Sequence, residues 1–442
     1  MKKTVCMLLC LALLLPCLSG CGDTEPLQVW CTNGTQDFAK RAVFLRSQID
    51  DRTEYEVTVF EDEAYAAEGM ALTQNLRSQL MAGEGPDLIL FTKEDFTDIR
   101  KLAESGSFLD LGGYLEDSEK FDPADYAEGI MQDGWYDDAY FYVPLGYSVY
   151  SAVTTREAME YGGWETPANM AELLQQMGEY GAAETRTEYF FDPISDSSKD
   201  YIPEYLLLQS GVRLIDAETG MPLPDEEGLR RVLEGYKAIR QSQFVPEMPP
   251  MHSFFYGDYF TDHHVSYMLS DYPLMLAQIC TAANAVQETE LFCIAGFDGN
   301  VYGEVSVYAA VNAYSKDPDA AWALLETMLG SSMQSYILEE NLYTFAMPVR
   351  RGCLEAYLNG YYAEHEAECW ESLSGETCFA QPLNAETVTE FAAQCESAQV
   401  NYLSPDAFSL LWECMEPYFE DTDTYESCLE DLRSRLNLYA ME

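Results

Sequence analysis

Gly83-Glu84-Gly85-Pro86-Asp87-Leu88-Ile89-Leu90-Phe91 is the stretch on which the fold reading turns. Two glycines around one polar residue make a tight turn, and the four apolar residues after Pro86-Asp87 read as a strand buried on both faces. Upstream, Leu27-Gln28-Val29-Trp30-Cys31 reads as a strand that begins the folded body. Phe38, Ala42, Leu45 and Ile49 recur behind it at helical spacing. Tyr55, Val57 and Val59 then alternate with Glu56 and Thr58, the period of a half-buried strand, and Leu72, Leu76 and Leu80 mark one face of a second helix. Strand, helix, strand, helix, strand in one short run implies parallel βαβ units with right-handed crossovers. The fold class is therefore α/β.

Downstream the pattern loosens without breaking. Phe141 to Tyr150 is an extended aromatic stretch, Arg156 to Met159 and Met170 to Met177 are helical, and Glu227 to Arg240 is an amphipathic helix after a turn at Asp216 to Gly220. Val305 to Asn312 reads as a strand, and Asp317-Pro318-Asp319 caps the helix that follows. Asp406 to Met415 and Tyr425 to Leu438 are helices near the end. No internal repeat or low-complexity linker separates these units. A two-lobed body whose chain passes between lobes more than once leaves that kind of sequence.

Composition narrows the function. The 442 residues carry 76 acidic and 24 basic side chains, a net charge of -52. Such a chain repels phosphate backbones and anionic lipid surfaces, which excludes nucleic acid as a partner. Apolar residues at 48% and aromatics at 13% are too many for a disordered chain. Residues 1–20 read as an export signal, with Lys2 and Lys3 ahead of the apolar run Val5 to Leu18, which is too short to span a bilayer. Leu18-Ser19-Gly20-Cys21 has the form of a bacterial lipobox, so Cys21 is the expected acylated N-terminus and residues 21–26 a tether; an ordinary secretory signal with a chance cysteine is the alternative. The expected address is the extracytoplasmic face of the cell membrane, held by lipid. Removal of Lys2 and Lys3 takes the net charge from -52 to -54, and mutual repulsion favours a monomer. Thirteen cysteines less the three of the signal and Cys21 leave nine, six of them from Cys353 onward, as disulfides or buried thiols. No CxxC pair occurs and the four histidines are sparse, so no metal and no cofactor is expected.

Ligands of open α/β sheets sit outside the carboxyl ends of the strands. Those loops offer Thr32 and Asn33, then Phe91 with Glu94 and Asp95, and Tyr302 with Glu304. Apolar rings and carboxylates are the mixture that the C–H faces and hydroxyls of a sugar require; each ring could equally belong to the core. A glycosidase would use paired carboxylates, but adjacent acids such as Asp50-Asp51 and Asp137-Asp138 read as solvated faces in so acidic a chain. No GxSxG, HExxH or SxxK occurs, so no catalytic residues are assigned and the chain is read as a non-enzyme.

The order of these segments resembles the family 1 extracellular solute-binding proteins of ABC importers. Gly83 to Ile89, Phe108-Leu109-Asp110-Leu111, Tyr142 to Gly146, Thr166-Pro167 through Leu173, Val307 to Trp322 and Met347-Pro348-Val349-Arg350 carry the likeness along nearly the whole mature chain. Thr154-Thr155-Arg156 and Met170 depart from its usual residues, the mark of a divergent branch. The resemblance implies a type II periplasmic-binding-protein-like fold of mainly parallel sheets flanked by helices, with lobes joined by several crossing segments. It places residues 27–146 and about 291–345 in the N-terminal lobe, and 147–290 and about 346–442 in the C-terminal lobe. It adds Tyr147, Ser148, Asp271 and Tyr272 to the candidate site. It implies capture of a small solute, a sugar or oligosaccharide, for delivery to permease subunits; a sensory or adhesive lipoprotein of the same fold is the competing reading. Replacing Cys21→Ser is expected to move the protein from the membrane fraction to the medium, measured by fractionation; retention in the membrane fraction would rule out the lipid anchor.

Overall fold

The computed structural model describes residues 25–60, 69–92, 95, 99–136, 138–156, 159–160, 163–182, 189–190, 202–216, 221–242, 264–265, 268–270, 272–284, 288–365, 369–371, 377–379 and 381–440. The chain makes four passes through two lobes. On the first, Leu27–Thr32 (β1) is followed by Gln36–Ile49 (α1), whose Phe38, Ala39 and Ala42 are buried while Ile49, the last of the four spaced apolar residues, is 71% exposed at the helix end. Tyr55–Phe60 (β2) pairs parallel with β1 as an edge strand, with Tyr55, Val57 and Val59 half-buried and the residues between them exposed. Gly69–Met81 (α2) buries Leu76 and Leu80. Leu88–Phe91 (β3) is buried throughout and lies parallel on the other side of β1. Its entry turn needs its glycines: Gly83 and Gly85 have φ of +75° and +99°, where a β-carbon would be strained. Val143–Val149 (β4) completes the pass.

The second pass holds Ser151–Thr155 (β5), Met170–Ala182 (α3), Ile202–Ser210 (α4), Glu226–Ser242 (α5), Met268–Ser270 (β6), Pro273–Ala283 (α6) and Thr289–Cys293 (β7). Its strands form an antiparallel sheet in the order β6-β5-β7. The third pass begins with Tyr302–Val311 (β8) and continues through Pro318–Leu329 (α7), Ser331–Glu339 (α8), Met347–Pro348 (β9), Cys353–His365 (α9) and Ala385–Glu396 (α10). The Asp317 carboxylate accepts from Ala320 N at 3.0 Å, the cap its sequence position implies. Gln399–Val400 (β10) then leads to Pro405–Phe419 (α11) and Tyr425–Tyr439 (α12).

The first sheet has the order β9-β4-β8-β3-β1-β2, with β10 also paired to β8. It is mixed, which refines the expected mainly parallel arrangement. β1, β2 and β3 run together, whereas β8 is antiparallel to both β3 and β4. The reason is topological: β8 arrives from the other lobe, so it enters the sheet at the edge where β3 ends. Close approach is needed there too. A β-carbon on Gly146 of β4 would lie 2.5 Å from Phe345 O, so only glycine lets that chain pass.

Three segments connect the lobes: Tyr150, residues 294–301 and residues 398–404. They are bonded side by side, Ile294 N to Tyr150 O at 3.2 Å, Gln399 N to Val301 O at 2.9 Å and Asn401 N to Gly303 O at 3.0 Å. Two hydrophobic clusters flank the ribbon. Leu291 and Cys293 of β7 face the first and Phe292 and Ile294 the second, as strand alternation requires. Met347, Leu354, Leu358, Phe391 and Cys395 pack into the first cluster, which also takes in Tyr272, Leu274, Ala277 and Cys280 of the second pass, and the second cluster resumes at Leu403. β9 starts this segment on the first sheet through its pairing with β4, and α10 at its end packs against β7 of the second sheet.

Buried Asn312 closes the far edge: its Nδ2 donates to Glu84 O and Pro86 O, both at 3.0 Å, and its Oδ1 accepts from Tyr314 N at 3.0 Å. Asn312→Ala strands two carbonyls and is expected to lower unfolding stability by about 3 kcal/mol, read as a lower urea midpoint at unchanged slope.

Candidate functional site

The carboxyl ends of β1 and β3, the start of β8 and the end of β4 meet at one edge of the first sheet, facing the second lobe. Thr32 and Asn33 open the edge at the end of β1. Thr32 and Thr35 hydroxyls are 3.2 Å apart, and Asn33 Oδ1 accepts from Gln36 Nε2 at 2.9 Å, so a short 3-10 turn holds both residues before α1. At the end of β3, Asp95 Oδ2 accepts from Thr92 N at 2.7 Å and from Thr92 Oγ1 at 3.0 Å, which ties Asp95 to the strand end.

β8 supplies the middle of the edge. Glu304 stands opposite Ser148 of β4 and is only 8% exposed, a carboxylate drawn into the sheet; its charge is among those that raise the Tyr308 phenol, after burial and Asp133. The pairing of β8 with β4 slips across Ser306, between Val305 and Val307, and again between Val307 and Tyr308; the Ser306 Oγ donates to Phe345 O at 2.8 Å. Bulges of this kind re-aim side chains beside functional edges. Tyr302 is half-buried; its hydroxyl donates to Asp298 Oδ2 at 2.9 Å and its ring packs on Gly211 and Gly296 of the second lobe. Burial first, and then the Asp298 carboxylate, raise the Tyr302 phenol. Asp298 sits below the usual carboxylate range: desolvation opposes ionisation, but donors from Asn300 and Tyr302 outweigh it.

The second lobe answers with Tyr272, just before α6. Its hydroxyl donates to Asn341 Oδ1 at 2.6 Å, and its ring lies 5.1 Å from that of Tyr343, centroid to centroid. Burial pushes the Tyr272 phenol well up, with Tyr343 and Tyr357 adding to it, so the group stays a neutral donor at physiological pH. Tyr343 itself is 68% exposed. It belongs to the loop 340–346, whose Thr344 hydroxyl would meet a β-carbon on Gly34, so this loop adjoins the end of β1.

Eight of the expected contact residues thus fall along this edge or its crossing end, and Tyr272 faces them. Their exposure differs from expectation. Phe91 is 2% exposed, in a stack with Tyr308 at 5.4 Å and Phe108 at 6.3 Å, because β3 is central and covered on both faces. Tyr147 is 1% exposed, with its hydroxyl donated to Cys395 O at 3.1 Å. Both are core rings in this structure. Glu94, Asp271 and Cys21 lie outside the described residues. Asn341 and Tyr343 escaped the sequence reading; the signal available was an exposed aromatic in the loop just before Met347-Pro348-Val349-Arg350.

The description "bacterial extracellular solute-binding protein" matches residues 63–359 as a family model. Solved structures give the same picture of the fold. The sugar-binding protein MalE from Xanthomonas citri superposes with a TM-score of 0.66 at 14% identity, covering 94% of this chain and 98% of that one. A cyclic alpha-maltosyl-1,6-maltose binding protein from Arthrobacter globiformis reaches 0.62 at 14% identity, covering 94% and 98%. A family 1 extracellular solute-binding protein from Alicyclobacillus acidocaldarius reaches 0.61 at 13% identity, covering 95% and 100%. No curated protein matches the chain in sequence. Tyr272→Phe removes the hydrogen bond between the lobes at Asn341 and is expected to increase the radius of gyration of the unliganded protein in small-angle scattering; an unchanged radius would mean the bond does not hold the lobes together.

Proposed function

This chain belongs to the bacterial extracellular solute-binding proteins, and from that premise we propose that it captures a sugar or oligosaccharide between its lobes and delivers it to an ABC importer permease. The observation that carries the reading is the exposed Tyr343 ring backed by Tyr272 of the opposite lobe, beside the polar ends of β1, β3 and β8. An aromatic face takes the C–H surface of a pyranose, and nearby carboxylates and amides take its hydroxyls. The proposed contact set is Thr32, Asn33, Asp95, Ser148, Tyr272, Tyr302, Glu304 and Tyr343, with Glu94 joined to it by the position of its strand-end loop and Asp271 by the resemblance. A neutral polyol also suits a chain with 76 acidic residues, since it brings no charge to be repelled. The sugar-binding neighbours in fold support the same class.

The mechanism is closure. An open form admits solute, and contacts from both lobes, which exist only when the lobes meet, favour the closed form. Tyr272 and Tyr343 come from opposite lobes, so a ligand placed against this pair gains from closure. Cys21 anchors the body at the outer face of the membrane, where a permease presents itself, and the chemistry of the solute is left unchanged.

A panel of neutral oligosaccharides is expected to include one that stabilises the native state by about 2.7 kcal/mol at a hundredfold excess over Kd, read as a raised melting temperature. Tyr343→Ala is expected to weaken that ligand by about tenfold, close to 1.4 kcal/mol, by calorimetry. Stabilisation by peptides or cationic solutes, with none by sugars, would overturn the saccharide assignment.

A further inference from the structure

Nine cysteines follow the acylated one in the sequence, and seven of them, Cys31, Cys280, Cys293, Cys353, Cys395, Cys414 and Cys428, are buried free thiols. One pair is set apart. Cys293 Sγ and Cys395 Sγ are 3.4 Å apart, in van der Waals contact across 102 residues of chain, and no other pair among these seven is in sulfur–sulfur contact. Cys31 points its thiol at Thr58 O and Cys414 at the Asp431 carboxylate. The two sulfurs need only small side-chain rotations to reach bonding distance.

Position gives the pair its meaning. Cys293 ends β7, directly before the crossing at 294–301, and Cys395 is in the last turn of α10, directly before the crossing at 398–404. Cys293 N also donates to Gln394 Oε1 at 2.8 Å, and the Cys395 carbonyl accepts the Tyr147 hydroxyl from the strand that leads into Tyr150. All three crossing segments therefore converge on these two residues. The family is extracellular, and thiols outside the cytoplasm meet oxidants.

We propose that Cys293 and Cys395 form a disulfide in the exported protein, a covalent staple between the second and third connections of the lobes. The reaction is thiol–disulfide exchange with an oxidised dithiol or low-molecular-weight disulfide of the compartment. One cysteine thiolate attacks a sulfur of that disulfide, forms a mixed disulfide and releases a thiolate. The second cysteine thiolate then attacks the protein sulfur of the mixed disulfide, forms the Cys293–Cys395 bond and releases the second thiolate. The two thiol protons pass to solvent, the protein loses two electrons and the oxidant gains them. In the folded protein, burial first and Cys293 second raise the Cys395 thiol well above its usual range. The exchange accordingly takes place while the chain folds and both thiols are still solvated.

The probe is a glutathione redox mixture. The mature full chain is refolded in oxidised and reduced glutathione, its free thiols are alkylated under denaturing conditions, and it is digested without reduction for mass spectrometry. The expected result is a cross-linked peptide pair containing Cys293 and Cys395, lighter by two hydrogens than the reduced pair, and a melting temperature several degrees above that of the dithiothreitol-treated protein. Cys293→Ala and Cys395→Ala should each abolish the cross-link, and Cys353→Ala should retain it. Full alkylation of both cysteines after oxidative refolding, or a bond from either to a different cysteine, overturns the proposal. The mapping uses the unmutated chain, so a variant that fails to fold does not spoil the test.

Discussion

β8 is the constraint on which the two-lobed body depends. The strand leaves the second lobe, enters the first sheet between β3 and β4, and pairs with both, from Gly303 opposite Val149 down to Val311 opposite Leu88. Its residues from Val307 to Val311 are buried, so it is also the spine of the first core. A strand entering from the opposite lobe must run against β1 and β3. That direction brings Tyr302 and Glu304 to the edge where β1 and β3 end, and so assembles the candidate site from segments far apart in sequence. Displacing β8 would open the sheet, sever a connection between the lobes and scatter the site together.

Much of this was legible from residue patterns, and the reasons are local. The alternation of Tyr55, Val57 and Val59 and the turn at Gly83-Glu84-Gly85 describe edge and centre of a sheet because exposure on one face or neither writes itself into the spacing. Asp317-Pro318 marks a helix start because capping chemistry is short-ranged. The direction of β8 and the pairing of β9 with β4 were not legible. Both are set by pairing partners over a hundred residues away, and neither leaves a mark in the spacing of nearby side chains.

The site was read in outline, with the rings misplaced. Strand-end loops could be named from strand order alone, which located Thr32, Asn33 and Asp95. An aromatic at the end of a strand does not reveal which way it faces, and Phe91 and Tyr147 turned inward because helices or neighbouring strands cover them. Tyr343 escaped notice for the opposite reason: its loop has no periodic pattern, and only the fold carries it to Tyr272.

The lateral hydrogen bonds among the three connections give them a mechanical character that separate tethers would lack. Independent strings would permit twist, slide and separation in any mixture. A narrow band three strands wide flexes readily across its width but resists being sheared in its own plane or pulled lengthwise, much as a leather hinge does on a box lid. Relative movement of the halves is thereby reduced to something close to a single swing, so that Tyr272, once displaced from Asn341, returns along the same arc to the same place.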